Sequence, residues 1–239
     1  MSTDDGRLII IPVYNEEETI EAVLGELCRH YSGQVLIVDD GSTDRSVQRI
    51  HACLQCRTTV ISHPVNRGYG ASLIDGFRFA LEQGFKTVLT MDCDFQHEPQ
   101  QVPSFFAQIG ESDILSGSRY LAESICDTVA PPDRMRINQI VTARINELTG
   151  YGITDAFCGF KAYRTEIFRE LELDETGYAF PLQFWIRARA RGLSVRELAV
   201  ARIYTGAKRS FGAMMDNPES RLNYYQEVID REYRLWKRT

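Results

Sequence analysis

The chain has 239 residues, 44% of them hydrophobic and 25% charged, with a net charge of −6. These values describe one ordinary globular domain with a substantial core and argue against broad, sequence-independent nucleic-acid binding. No apolar run approaches the roughly 18 residues of a membrane span, and the polar start from Met1 to Arg7 lacks a signal-peptide pattern, so a cytoplasmic location is expected.

Leu8 to Ile11 is an uninterrupted apolar run that suits a strand buried on both faces, with Pro12 as its end. Asn15 is placed to cap the next helix, with Glu18 in the capping-box position and Ile20, Val23, Leu24 and Leu27 on its apolar face. Gln34 to Val38 repeats the strand pattern. The polar turn from Asp39 to Asp44 then precedes a helix with Val47, Ile50 and Leu54 inward. Cys53 and Cys56 are the one close pair among six scattered cysteines, which are expected to be mostly reduced thiols. Thr59 to Ile61 predicts a third strand, Asn66 to Gly70 a glycine-rich loop, and Leu73, Ile74, Phe77 and Leu81 a third helix. The apolar run from Thr87 then ends in Asp92 and Asp94.

Asp113 to Ser116 predicts another short strand. A loop through Pro131 and Pro132 leads to a helix with Ile137, Ile140, Val141, Ile145 and Leu148 at helical spacing, ended by Gly150 and Gly152. Phe160 to Arg164 reads as extended, Phe180 to Arg191 as helix and Leu193 to Val200 as a last strand. Thr205 to Gly212 has the composition of a mobile loop, and an amphipathic helix starts at Pro218 with Leu222, Tyr225, Val228 and Ile229 on one side.

Strands alternating with helices predict an α/β fold with a mostly parallel central sheet and helices on both faces. Ligands of such folds bind outside the carboxyl ends of the strands. Residues 12–16, Asp39–Asp40, the Asn66–Gly70 loop and Asp92–Asp94 all fall there. In an extended chain Asp92 and Asp94 point the same way while Cys93 points back toward the sheet. Such a pair of hard oxygen ligands suits Mg²⁺ or Mn²⁺ and, through the metal, a diphosphate; Gln96 can add an amide oxygen. An acidic turn after a strand is the plainer reading. Tyr14 and Glu16 suit stacking on a base or bonding a ribose, and equally helix capping. Asp39 and Asp40 suit base N–H groups or a cap. Arg67 with Gly68 and Gly70 suits a phosphate or a simple turn.

Taken together, I-P-V-Y-N-E-E, V-D-D-G-S-T-D, N-R-G-Y-G-A, M-D-C-D-F-Q-H and G-S-R-Y, in this order over residues 8 to 165, resemble the family 2 inverting glycosyltransferases of GT-A fold. Within that family the resemblance is to the dolichol-phosphate mannose synthases and bacterial polyprenyl-phosphate sugar transferases. It implies a GDP- or UDP-linked sugar donor and a divalent metal, Mg²⁺ or Mn²⁺, on Asp92, Asp94 and Gln96. Pro12, Tyr14, Glu16, Val38, Asp39 and Asp40 are assigned to the nucleotide pocket. Arg67, Gly70, Asp92 and Cys93 complete the donor site, with Arg119, Arg202 and Lys208 on donor or acceptor phosphates. It divides a single domain of residues 1–239 into a nucleotide-sugar half at about 8–125, an acceptor half at about 126–212 and a C-terminal helix from 213.

A phosphate monoester acceptor is already largely anionic at neutral pH and needs cations more than a base. Arg134 and Arg136, with Asn138 nearby, supply them, and the resemblance places an acceptor-phosphate arginine here. Asp94, Arg119 and Arg134 are therefore the expected catalytic groups. If the acceptor is a hydroxyl, Asp155 is the candidate base. Asp155–Phe160 reads D-A-F-C-G-F where relatives carry D-P-x-S-G-F. Thr205 to Gly212, with Lys208 and Arg209, is expected to close over the donor, and reads equally as an ordinary flexible surface loop. The basic, aromatic C-terminus suits peripheral contact with the inner face of a membrane or plain packing. A nucleotidyltransferase and a non-catalytic nucleotide-sugar-binding protein are the competing readings.

Overall fold

A computed structural model describes residues 6–53, 57–124, 130–204 and 215–238. Lys208 and the rest of the Thr205–Gly212 segment, and also Leu54 and Cys56, lie outside the described residues. In chain order the elements are β1 (Arg7–Val13), α1 (Ile20–His30), β2 (Gln34–Asp39), α2 (Ser46–Ala52), β3 (Arg57–Ser62), α3 (Tyr69–Glu82), β4 (Thr87–Thr90), α4 (Val102–Gln108) and β5 (Ile114–Ser118). They continue with α5 (Pro132–Thr149), β6 (Lys161–Arg164), α6 (Phe180–Ala190), β7 (Val195–Ala199) and α7 (Pro218–Trp236). The strands form one sheet in the order β3-β2-β1-β4-β6-β5-β7, parallel except for β6.

The apolar run of β1 divides between two cores because successive side chains alternate faces. Leu8 and Ile10 pack under α3, α5 and α6, while Ile9, Ile11 and Val13 pack under α1 and α4. β2 divides likewise, sending Val38 into the first core. Pro12 does not end β1 as expected: the strand continues to Val13, paired with Asp39. Pro12 directs its missing N–H toward the β4 side, where β4 has already stopped at Thr90, so no ladder bond is lost.

β6 is the antiparallel exception, and it matters for the site. Lys161 pairs with Thr90 and with Ser116, so the chain re-enters the sheet where β4 and β5 leave it. The 155–160 loop is thereby laid along the carboxyl edge, beside Asp92.

Asn15 is not the cap of α1. It stands at φ 55° and accepts the Thr43 N–H at 2.8 Å, while Thr19 occupies the cap position. Ser42 Oγ accepts from Asn15 N–H at 3.0 Å, Ser46 Oγ from Glu16 N–H at 2.8 Å and Asp44 from Glu17 N–H at 3.1 Å. These bonds lock the loops after β1 and β2 together. Cys53, Cys93 and Cys158 are free, as expected, but Cys28 is disulfide-bonded. Cysteine pairing follows proximity in the fold, which spacing along the chain does not reveal.

The glycines of the Asn66–Gly70 loop serve packing. A Cβ on Gly70 would stand 2.1 Å from the Glu175 carbonyl oxygen, and one on Gly68, at φ 105°, 2.4 Å from that of Thr176. Gly70→Ala is therefore expected to destabilise the fold by about 1–3 kcal/mol, since both partners are backbone. Urea denaturation with an unchanged midpoint would contradict this packing.

Candidate active site

At the carboxyl edge of β1, β2 and β4 lies a cavity of about 1000 Å³. Its lining includes Pro12, Tyr14, Glu16, Asp40, Asp92, Asp94 and Gln96 together with Arg119, Arg134, Asn138, Arg221 and Tyr225. Residues up to 213 positions apart in the chain are thus folded around one space, lined by carboxylates and arginines together.

Asp92 and Asp94 follow β4 on a turn that puts Phe95 at φ 60°, and Asp94 Oδ1 accepts the Gln96 N–H at 3.1 Å. Asp92 N–H donates to His97 Nδ1 at 2.9 Å. The imidazole proton therefore sits on Nε2, 3.9 Å from Asp92 Oδ2. Burial pulls the His97 pKa down, against the opposing pull of Asp92 and Asp94, and its ring stacks on Phe160 at 5.1 Å. A Cβ on Gly159 would lie 2.8 Å from Asp92 Oδ2, so that glycine leaves room above the carboxylate. Two carboxylates and an amide opening onto one cavity, with space kept clear beside one of them, fit a hard divalent cation.

Arg119 follows β5 and is clamped by Asp155: Nε donates to Oδ2 at 2.6 Å and Nη2 to Oδ1 at 3.0 Å. Asn138 Nδ2 and the Phe157 N–H also donate to Asp155 Oδ1, at 2.8 and 3.1 Å. Burial pushes the Asp155 carboxyl up, but the Arg119 charge and hydrogen bonds, with Asn138 and Lys161, outweigh it and hold the group below its ordinary range. Behind it Glu197 of β7 accepts from Thr154 N–H at 2.9 Å and Asp155 N–H at 3.3 Å, fixing the loop. Asp155 is fully enclosed and does not line the cavity. Its place as a base for a hydroxyl acceptor is corrected accordingly, because every approach to its oxygens is taken by a donor.

Other expected site residues are also set back. Val38 and Cys93 are core residues, and Cys93 Sγ faces the Pro12 carbonyl at 3.9 Å. Asp39 Oδ1 accepts the Ser42 N–H at 3.2 Å. Arg202 lies over the Tyr120 ring at 5.5 Å. Arg67 pairs with Asp75 at 2.7 Å, and Gly70 packs on Glu175; none of these six lines the cavity. Asp40 does, yet its carboxylate already accepts from Arg67 N–H and Gly68 N–H at 2.8 Å each and contacts His63 Nδ1 at 2.7 Å. It anchors the glycine-rich loop. Burial pushes the Cys158 thiol up to about 11, and Lys161 Nζ donates to the Cys158 carbonyl.

Sequence reasoning missed His97, Tyr178, Arg221 and Tyr225 as cavity residues. The last two stand four residues apart on one face of α7, a pattern that reads equally as ordinary helix packing.

A doubly wound sheet that opens an acid-lined and arginine-lined cavity at its carboxyl edge defines an α/β enzyme of the nucleotide-binding kind. The family profile described as "Glycosyl transferase family 2" matches residues 8–172. The chain is 30% identical over 202 residues to a polyprenol monophosphomannose synthase from Mycolicibacterium smegmatis, covering 81% of this chain and 76% of that protein. It is 30% identical over 199 residues to an undecaprenyl-phosphate mannosyltransferase from Micrococcus luteus, covering 81% and 82%. Among solved structures, glucosyl-3-phosphoglycerate synthase from Mycobacterium tuberculosis, in complex with Mn²⁺, UDP and glucosyl-3-phosphoglycerate, superposes with a TM-score of 0.72 at 19% identity, covering 95% of this chain and 79% of that one. The chain belongs to glycosyl transferase family 2.

Proposed function

We propose that this glycosyltransferase moves a sugar from a nucleotide-diphosphate donor to a polyprenyl phosphate, with inversion at the anomeric carbon. The observation that carries the reading is one cavity lined both by a metal-fit carboxylate pair and by Arg119 and Arg134. Polyprenyl-phosphate enzymes among the relatives support the acceptor class. Asp92 and Asp94, with Gln96, would hold Mg²⁺ or Mn²⁺, whose chemistry is to neutralise the departing diphosphate. Tyr14 and Glu16 border the nucleotide end. Arg119, fixed by Asp155, and Arg134 hold the acceptor phosphate in line with the anomeric carbon. A phosphate oxygen forms the new bond to that carbon as its bond to the diphosphate oxygen breaks, and the nucleoside diphosphate leaves with the electron pair. No protein base is required, because a phosphate monoester with a second pKa of about 6 is already anionic at neutral pH.

No helix among the described residues is long and apolar enough to cross a membrane. Leu235 near the end of α7 is an exposed apolar side chain of the kind that settles at a membrane surface, which suits a membrane-borne acceptor. The direct test supplies purified protein with Mn²⁺, a panel of UDP- and GDP-sugars, and a short polyprenyl phosphate, the matching polyprenol or free sugars. Transfer to the phosphate alone is expected. Transfer confined to hydroxyl acceptors, or release of pyrophosphate from a nucleoside triphosphate, would overturn the reading.

A further inference from the structure

The cavity lining has a component that lies outside the matched residues 8–172. Arg221 and Tyr225, four residues apart on α7, face the same cavity as Arg134 of α5. Both are buried, at 4% and 5% exposure, yet both open onto it. Arg221 Nη2 donates to Asp133 Oδ2 at 2.8 Å and Nη1 to the Met215 carbonyl at 3.1 Å. This sets the guanidinium at the first turn of α5, beside Arg134. The Tyr225 ring packs on Phe157 at 5.0 Å. Its hydroxyl feels Arg221, Tyr178 and Arg134 together, and burial pushes its pKa to about 12, keeping it a neutral donor.

A helix that served only to cover the core would turn apolar side chains to this face. Here it offers a guanidinium fork and a phenol, lining the same cavity as a second cationic side chain, Arg134. Those are the groups that match the oxygens of a phosphate, the arginine by paired N–H donors and the tyrosine by a single O–H.

We propose that the C-terminal helix completes the acceptor site, with Arg221 and Tyr225 joining Arg134 around the phosphate of the lipid acceptor. This rests on the polyprenyl-phosphate reading and assigns binding residues to it. The competing account is that Arg221 only ties α7 to α5 through Asp133.

Binding of farnesyl phosphate, with farnesol as the control, separates the two accounts without turnover. Calorimetry on the intact chain compares wild type with Arg221→Lys, Tyr225→Phe and Asp133→Asn, and UDP with Mn²⁺ is titrated separately. Arg221→Lys keeps the charge and loses the fork, so farnesyl phosphate should bind about tenfold more weakly, and Tyr225→Phe should cost about threefold. Nucleotide and farnesol affinities should stay within twofold. Asp133→Asn should bind farnesyl phosphate as well as wild type or better, because it releases Arg221 from a competing carboxylate. The proposal fails if wild type does not bind farnesyl phosphate or if Arg221→Lys binds it unchanged. It also fails if Asp133→Asn weakens binding as much as Arg221→Lys does, or if farnesol or nucleotide affinity falls in parallel. The transfer assay reports on the function separately: farnesyl phosphate binding that follows the expected pattern, without transfer to a polyprenyl phosphate, sinks the functional reading and leaves this site standing.

Discussion

Asp94→Asn should lower turnover by about a hundred- to a thousandfold while leaving the fold intact. The change removes a charge and keeps an oxygen. An asparagine Oδ1 can still accept the Gln96 N–H that shapes the turn around Phe95, so the local backbone has no reason to move. What is lost is one of the two cavity carboxylates proposed to hold the metal, and with it the affinity expected for a hard divalent ion. Steady-state rates over a Mn²⁺ titration, set beside nucleotide binding with and without metal, should show metal-dependent affinity and turnover falling together. Normal turnover and wild-type metal dependence would remove Asp94 from the metal site. A fall in melting temperature of more than a few degrees would instead make the residue structural.

Asp155→Asn should have the largest effect on stability, about 3–5 kcal/mol, because it strands a buried guanidinium. Arg119 is 14% exposed at its side chain and Asp155 fully enclosed, so solvent cannot replace the missing charge. Activity should fall with stability, since Arg119 loses the clamp that aims it at the cavity. Replacing both partners with apolar residues, Arg119→Met with Asp155→Leu, should recover most of the stability and none of the activity. That separation identifies Asp155 as a positioning residue. A base would behave differently: Asp155→Asn would fold as wild type and lose only the step that needs proton removal. The pH dependence has a definite sign. The folded state holds Asp155 below its ordinary value of 3.8, so the pair stabilises fully above that value and its contribution is lost as pH falls through the lower, folded pKa. Acid unfolding of wild type should therefore begin below about pH 4, and the double variant should lack that component.

How much of this was legible beforehand differs from element to element. Leu8 to Ile11 announced a strand buried on both faces, and the structure divides those residues between two cores. The Asp92–Asp94 pair was readable as a motif at a strand's end, although β4 stops at Thr90 and both carboxylates reach the cavity from the turn beyond it. Pro12 misled because its effect depends on the neighbouring strand, and β4 stops too early for the missing N–H to matter. Asn15 misled because its side chain found a partner 28 residues away before it found its own helix.

The amino-acid sequence by itself determined the strand and helix order, the carboxyl-edge placement of the polar loops and the family, since local periodicity and short motifs carry those. Only the tertiary structure decided which polar side chains open onto the cavity. Asp155 became a clamp for Arg119 because β6 runs antiparallel and lays its preceding loop against the end of β5. Gly68 and Gly70 became contacts for the Glu175–Thr176 backbone, because a second segment occupies the space that the glycines leave. Arg221 and Tyr225 reached the cavity because α7 packs across α5 and α6. A side chain's role at such a site depends on which distant segment claims its hydrogen bonds first, and that competition is settled in three dimensions.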